Sequence, residues 1–488
     1  MLFNSYIFLA FLPISLCVYH IINSHYVSRK PALLFLILVS FVFYGYFNWK
    51  YLLILVCSIA ANWSIVILMR KQSIDVLRKF CVILGIFFNV SLIFYYKYYD
   101  FFIENINTAF CLNMNLKGML LPLGISFFTF QQISFVLDSY KHETDDYNFI
   151  EYSAFVTFFP QLVAGPIVLH NEMIPQFKND GTHKLQLENI TNGLCLFILG
   201  LGKKVLIADV FGYAVDWGYS NLDLVSSIDA MIIIVSYAIQ IYFDFSGYCD
   251  MASGIALMFN FRLPINFDSP YQSQSIIEFW GKWHMTLTRF LRKYIYFPLG
   301  GSREGRIRTY ANIMIVFLIS GIWHGANWTF IVWGCLHGGA NCLNRMFESQ
   351  WNKLNAIFKW FITFFFICYT WVIFRAENLS QALSMIWKSL NLRQLSISSQ
   401  LIECFNTVEV QFVKALINNV GSLKAFVVEN YINGFIVYIW IFIVMFIIMN
   451  IENNQRRKMS FRPLAMASLF TLEIFSLSGV SDFLYFNF

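Results

Sequence analysis

Long apolar runs recur along almost the whole chain, and they decide the class of fold. A stretch of about 18 or more apolar residues reads as a transmembrane helix, because ~20 residues at ~1.5 Å rise cross a ~30 Å hydrocarbon core. Such runs fall at roughly 5–22, 31–48, 51–69, 80–97, 118–137, 150–169, 187–202, 224–248, 311–325, 327–344, 356–374, 431–450 and 464–486. Of the 488 residues, 58% are hydrophobic and 13% charged. A soluble chain of this length could not bury that much apolar surface. The fold class is therefore an all-α polytopic membrane protein, with about 11–13 hydrophobic helices, some of them re-entrant. The first run lacks a basic n-region and a small-residue cleavage site, so it reads as a retained span rather than a signal peptide. No internal repeat is visible. One transmembrane domain over 1–488 is expected, with a longer loop at about 376–430.

Charge placement sets orientation, because Lys and Arg of short loops stay cytoplasmic. Loop 70–79 carries four basic residues and one acid. Segment 282–308 carries seven (Lys282, Arg289, Arg292, Lys293, Arg303, Arg306, Arg308) against Glu304 alone. Segment 452–462 adds Arg456, Arg457, Lys458 and Arg462. All three belong inside. The 376–430 loop, four basic against four acidic, suits the outside, and counting spans back puts the N-terminus outside as well. Cys111 and Cys404 then share the outer side, where a disulfide is conceivable. The ten cysteines are scattered without a Cys-x-x-Cys pair, so neither a zinc nor a redox motif is supported.

The informative exception to the apolar pattern is His324, at the middle of IVFLISGIWHGANWTFIVWG. It lies 16 residues beyond Arg308, ~24 Å along a helix. Ionisable groups at such depth are costly, face a protein interior or wet cavity, and are functional candidates. The alternatives are a neutral histidine tying helices together, or a general base, proton relay or metal ligand. Gly321 and Gly325 thin the helix around it. His284 sits in IIEFWGKWHMTLTRFLRKYIYFPLGG, whose pattern predicts one amphipathic helix with the histidine on the apolar face. His337 is expected to be structural, and His20, His25, His142, His170 and His183 ordinary. No histidine pair has a zinc-motif spacing, and no metal is expected. The cationic face of 282–308 suits anionic lipid headgroups or the phosphates of a cytosolic donor. No ATP-type loop accompanies it, and nucleic acid is not an expected partner. Asp244, Gln240, Asn327, Gln131, Gln132 and Glu473 either line a polar passage or bond helices together.

Several stretches resemble the membrane-bound O-acyltransferase family. They are MLFNSYIFLAFLP, LPLGISFFTFQQISFVLDSY, FFPQLVAGPIV, GLGKKVLIAD, QIYFDFSGYCDMASGIALMFNFRLPINFDSPYQS, FWGKWHMTLTRFLRKYIYFPLGG, GIWHGANWTFIVWGCLHG and VIFRAENLSQAL. The likeness is greatest to the bacterial branch of alginate and peptidoglycan O-acetylation, and its core motifs run over 118–345. The resemblance implies a ring of helices around a funnel or tunnel in the bacterial inner membrane. It implies acyl transfer from a cytosolic thioester, acetyl-CoA in this branch, to a polysaccharide outside. A periplasmic esterase-like transferase often passes the acetyl on. His324 matches the family's invariant histidine and His284 its second. Lys282, Arg289, Arg292, Lys293, Arg303 and Arg306 would dock the donor, and Asn327 or His284 would assist the base. Arg292-Lys293-Tyr294 stands where relatives often have Arg-Asp-Tyr, and Gly281-Lys282 where they often have an Arg. Any ion pair made by that Asp is therefore in question here. The rival readings are a transporter or flippase with His324 in a proton relay, and a scaffold of a polysaccharide-export complex.

Overall fold

A computed structural model describes residues 1–26, 28–179, 184–406, 433–451, 453, 455, 463–477 and 483–484. His183, residues 407–430 of the loop expected at 376–430, and Arg456, Arg457, Lys458 and Arg462 lie outside the described residues. The chain divides into two compact units: Met1–Phe197 with Tyr248–Ile265 and Tyr485–Phe488, and Ile198–Gly247 with Asn266–Leu484. Among the described residues, six helices are long and apolar enough to cross a membrane: Tyr6–His25, Trp49–Lys71, Asp75–Phe110, Ser227–Met258, Arg306–His324 and Ala356–Arg375. Lys30–Gly45, Phe435–Asn450 and Pro463–Ser476 are shorter apolar helices.

The first unit contains α1 (Tyr6–His25), α2 (Lys30–Gly45), α3 (Trp49–Lys71), and α4 (Asp75–Ile93), which runs through a π turn into α5 (Tyr99–Phe110). Then come α6 (Ile125–Tyr140), α7 (Phe149–Thr157), α8 (His170–Lys178) and the first part of α9 (Leu187–Gly202). Their starts follow local chemistry. The Asn148 side chain accepts from the Ile150 and Glu151 amides, and Glu151 reaches back to the Asn148 amide, closing a capping box. The expected span at 150–169 is instead the nine-residue α7 and a one-turn helix, Phe159–Leu162. Pro160 interrupts the pattern, since proline lacks the N–H that a continuing helix needs.

Polar side chains knit this unit together. Asn62 on α3 donates to Gln132 Oε1 on α6 at 2.9 Å. Asn89 on α4 donates to Asn62 Oδ1 at 2.6 Å, and Tyr152 on α7 donates to Gln132 Oε1 at 3.1 Å. Gln132, a candidate for lining a passage, thus joins α3, α6 and α7, and Asn62 extends the network to α4, as interhelical amides do in hydrocarbon. His170 is also buried, with Nε2 3.0 Å from Asp138 Oδ2.

The second unit contains α10 (Asp209–Ser220), the first part of α11 (Ser227–Met258), α12 (Ile276–Lys282), α13 (Met285–Leu291), α14 (Arg306–His324), α15 (Trp328–Met346), α16 (Ala356–Arg375) and α17 (Leu379–Leu390). Beyond 432 lie α18 (Asn433–Asn450) and α19 (Pro463–Ser476). Asp244 is accounted for here. It accepts from Lys204 Nζ at 2.7 Å, and Lys204 also meets Asp209 at 2.9 Å. A buried charge needs such partners. The antiparallel hairpin α14–α15 is closely packed. A Cβ on Gly321 would stand 2.3 Å from the Phe330 carbonyl oxygen, and one on Gly334 2.5 Å from that of Phe317. Gly321 therefore serves the approach of a helix. All ten cysteines, Cys111 and Cys404 included, are free thiols.

Candidate active site

His324 is the last residue of α14. The helix stops there because Gly325 is extended and Asn327 starts α15, accepting from the Thr329 amide at 3.0 Å. The Asn327 amide nitrogen donates to the Glu377 carbonyl at 2.7 Å. Both ends of that side chain hold backbone, so the structure gives Asn327 a joining role. His324 is 5% exposed. Its ring lies edge-on to Trp323, Trp333 and Phe374, at 5.0, 5.2 and 5.2 Å between centroids.

His284 arrives from a different geometry than the pattern predicts. The expected amphipathic helix is broken into α12 and α13, with His284 between them in the left-handed region at φ 44°. That conformation costs a non-glycine residue roughly 1–2 kcal/mol, and Asn266 offsets it. The Asn266 Oδ1 accepts from the Thr286 amide at 3.2 Å and the Thr286 hydroxyl at 2.8 Å. The same oxygen lies 3.1 Å from His284 Nδ1. An amide oxygen only accepts, so Nδ1 carries the proton and Nε2 is the acceptor nitrogen. Burial of this imidazole, which lies between the spanning helices, pushes its pKa down from 6.5 to about 3. His284 and His324 meet on one indole: Trp323 is 6.1 Å from the His284 ring and 5.0 Å from the His324 ring.

A cavity of about 440 Å³ lies between α12, α13, α14 and α15. Ile313, Val316, Phe317 and Ser320 line it from α14. Their spacing marks one helix face, and His324, one turn beyond Ser320, continues it. Polar groups enter from Thr288, Arg292, Ser302, Asn341 and Arg345. Of the expected cations, Arg292 lines the cavity. Lys282 is 2.8 Å from Glu278, Lys293 sits over Tyr294 at 5.0 Å, and Arg303 and Arg306 are exposed. Arg289 is half-buried on α13. Arg345, held by Asn341 Oδ1 at 3.1 Å, is a cation that sequence reasoning missed. The available signal was its place in the last turn of a helix antiparallel to α14, which returns it to the basic end.

His337, expected to be structural, is central. It is fully buried, and the Trp280 indole N–H donates to its Nδ1 at 3.1 Å. Trp280 and Phe317 line the cavity and touch the His337 ring, at 5.1 and 6.4 Å. The rings of Trp280, His337, Trp333 and His324 therefore run in contact from the cavity wall to the deep histidine.

The sequence profile of the membrane-bound O-acyltransferase family matches residues 89–382. The chain is 42% identical over 427 residues to the peptidoglycan O-acetyltransferase of Helicobacter pylori, covering 81% of each. It is 38% identical to the probable alginate O-acetylase of Pseudomonas putida, covering 79% of each. Similarity extends to the teichoic acid D-alanyltransferase of Bacillus subtilis, 27% identical over 52% of this chain and 69% of that one. A buried histidine ending a glycine-seamed spanning helix, the breadth of these matches and the profile together make this chain an acyltransferase belonging to the membrane-bound O-acyltransferase family.

Proposed function

We propose that this enzyme O-acetylates an extracytoplasmic polysaccharide, peptidoglycan first among the candidates, using cytosolic acetyl-CoA. The observation that carries the reading is His324, buried one helical turn past a cavity that opens among cations, in a chain 42% identical to a peptidoglycan O-acetyltransferase. The chain sits in the inner membrane with its N-terminus extracytoplasmic. Donor phosphates dock on Arg292 and Arg345, with Lys282, Arg289, Lys293, Arg303 and Arg306 supplying the surrounding field. The thioester arm lies along the α14 face towards His324. His324 takes the proton of an acceptor hydroxyl as its oxygen attacks the carbonyl. His284, with its proton fixed on Nδ1, offers Nε2 as an acceptor that orients this group. The hydroxyl belongs to the sugar itself or to a serine of a periplasmic esterase-like partner, which then passes the acetyl on.

The test is His324→Ala in the native host, with acetate released by mild base from purified sacculi as the readout. The expected result is loss of most O-acetyl groups from a variant that still accumulates in the membrane. Undiminished acetylation by a folded variant would overturn the reading.

A further inference from the structure

Two N–H groups in the ring cluster that reaches His324 have no part in the steps above. Trp333 Nε1 and His337 Nε2 are buried and lack a hydrogen-bond partner among the described residues. Both side chains are 0% exposed. They stand four residues apart, on one face of α15, with ring centroids 4.8 Å apart. Trp333 also touches His324, at 5.2 Å.

Chemistry fixes both as donors. An indole N–H can only donate. The Trp280 N–H donates to His337 Nδ1 at 3.1 Å, so that nitrogen holds a lone pair and the neutral ring carries its proton on Nε2. Buried donors are nearly always satisfied, and each exception calls for a reason, a catalytic role among them. Two exceptions within one ring contact of each other, next to the proposed base, make an electropositive spot in an otherwise apolar cluster. What they lack is an oxygen acceptor. In a low-dielectric site, donors fixed in advance act most strongly on an oxygen that gains charge during a reaction.

We propose that Trp333 Nε1–H and His337 Nε2–H bind the carbonyl oxygen of the acyl group and hold it as it becomes an oxyanion. The proposal rests on the acyl-transfer reading of His324. In the step, the acceptor oxygen bonds to the thioester carbonyl carbon as its proton passes to the His324 imidazole. The carbonyl π pair moves onto the oxygen between the two donors. When that pair returns, the C–S bond breaks, and the thiolate leaves with the proton from the imidazolium. The ester and a free thiol remain. Trp280 is then a positioning residue, because its indole keeps the His337 proton on the side that the oxygen needs.

The experiment uses the full-length purified protein with acetyl-CoA and solubilised peptidoglycan fragments as the hydroxyl acceptor, and thiol release is followed at varied donor concentration. Trp333→Phe keeps a ring and deletes the N–H. It should lower kcat by about 10²–10³-fold, the loss typical of one oxyanion donor, while KM for acetyl-CoA and thermal stability stay close to wild type. His337→Gln, which retains an N–H donor, should keep at least ~10-fold more kcat than His337→Leu. Wild-type kcat in folded Trp333→Phe, or equal kcat in the two His337 variants, would overturn the proposal. If Trp333→Phe does not fold, the His337 pair decides. Wild-type protein that releases no thiol would instead sink the acyl-transfer reading beneath it.

Discussion

At His284 the pH dependence follows from where the proton can go. The folded imidazole is held down to about 3 from its ordinary 6.5 by burial. Above 6.5 the ring is neutral in both states and contributes nothing to pH dependence. As pH falls from 6.5 towards 3, the unfolded chain binds a proton that the folded chain refuses, so stability declines across that window. His284→Gln should flatten this acid decline in thermal unfolding of the detergent-solubilised protein, and an unchanged slope would contradict it. Lys204 poses the opposite case, a charge retained inside by partners. Lys204→Met strands the buried Asp244 carboxylate, and breaking one side of such a pair costs about 3–5 kcal/mol. Folded yield and melting temperature should both drop, and adding Asp244→Asn should recover much of the loss.

Among the elements, the α14–α15 hairpin makes the sharpest demand on side-chain volume. Gly321 and Gly334 face backbone oxygens of the opposing helix, at Phe330 and Phe317, and a backbone cannot swing aside as a side chain can. Gly334→Ala should therefore separate the helices, cost about 1–3 kcal/mol by overpacking, and displace Trp333 and His337 together. Gly339→Ala on the same helix meets nothing within 4 Å and should be neutral or slightly stabilising. Melting temperature and O-acetyl content of the two variants, compared side by side, check this. The sequence carried the hairpin's existence plainly, because two apolar runs flank His324. It did not carry the break at His284. The face formed by Trp280, Trp283, Leu287 and Phe290 keeps its 3.6-residue period on both sides, so periodicity reads straight through. The decisive partner, Asn266, lies 18 residues away in sequence, where no local pattern reports it.

On the scale of the whole chain, hydropathy and loop charge made legible what is near in sequence: the six long apolar helices, the basic segment before α14, and the odd histidine at its far end. They could not show Arg345 returning to the basic end, or the contact of Trp280 with His337, because both depend on how helices stack. In the proposed reaction that stacking separates donor binding from chemistry. Arg292 and Arg345 line the cavity near the start of α14 and the end of α15, while His324 ends α14, ~24 Å from Arg308 along the axis. A polyanionic donor held at one end and attacked towards the other gives each group a distinct kinetic signature. Arg345→Ala should raise KM for acetyl-CoA about tenfold, near 1.4 kcal/mol, with kcat little changed, because phosphate contacts far from the carbonyl bind ground state and transition state alike. The side chain is exposed, so the difference from wild type should shrink as salt rises to ~1 M and the screening length falls to ~3 Å. A kcat loss with unchanged KM, insensitive to salt, would place Arg345 outside the donor site and move the entry of the thioester elsewhere on the molecule.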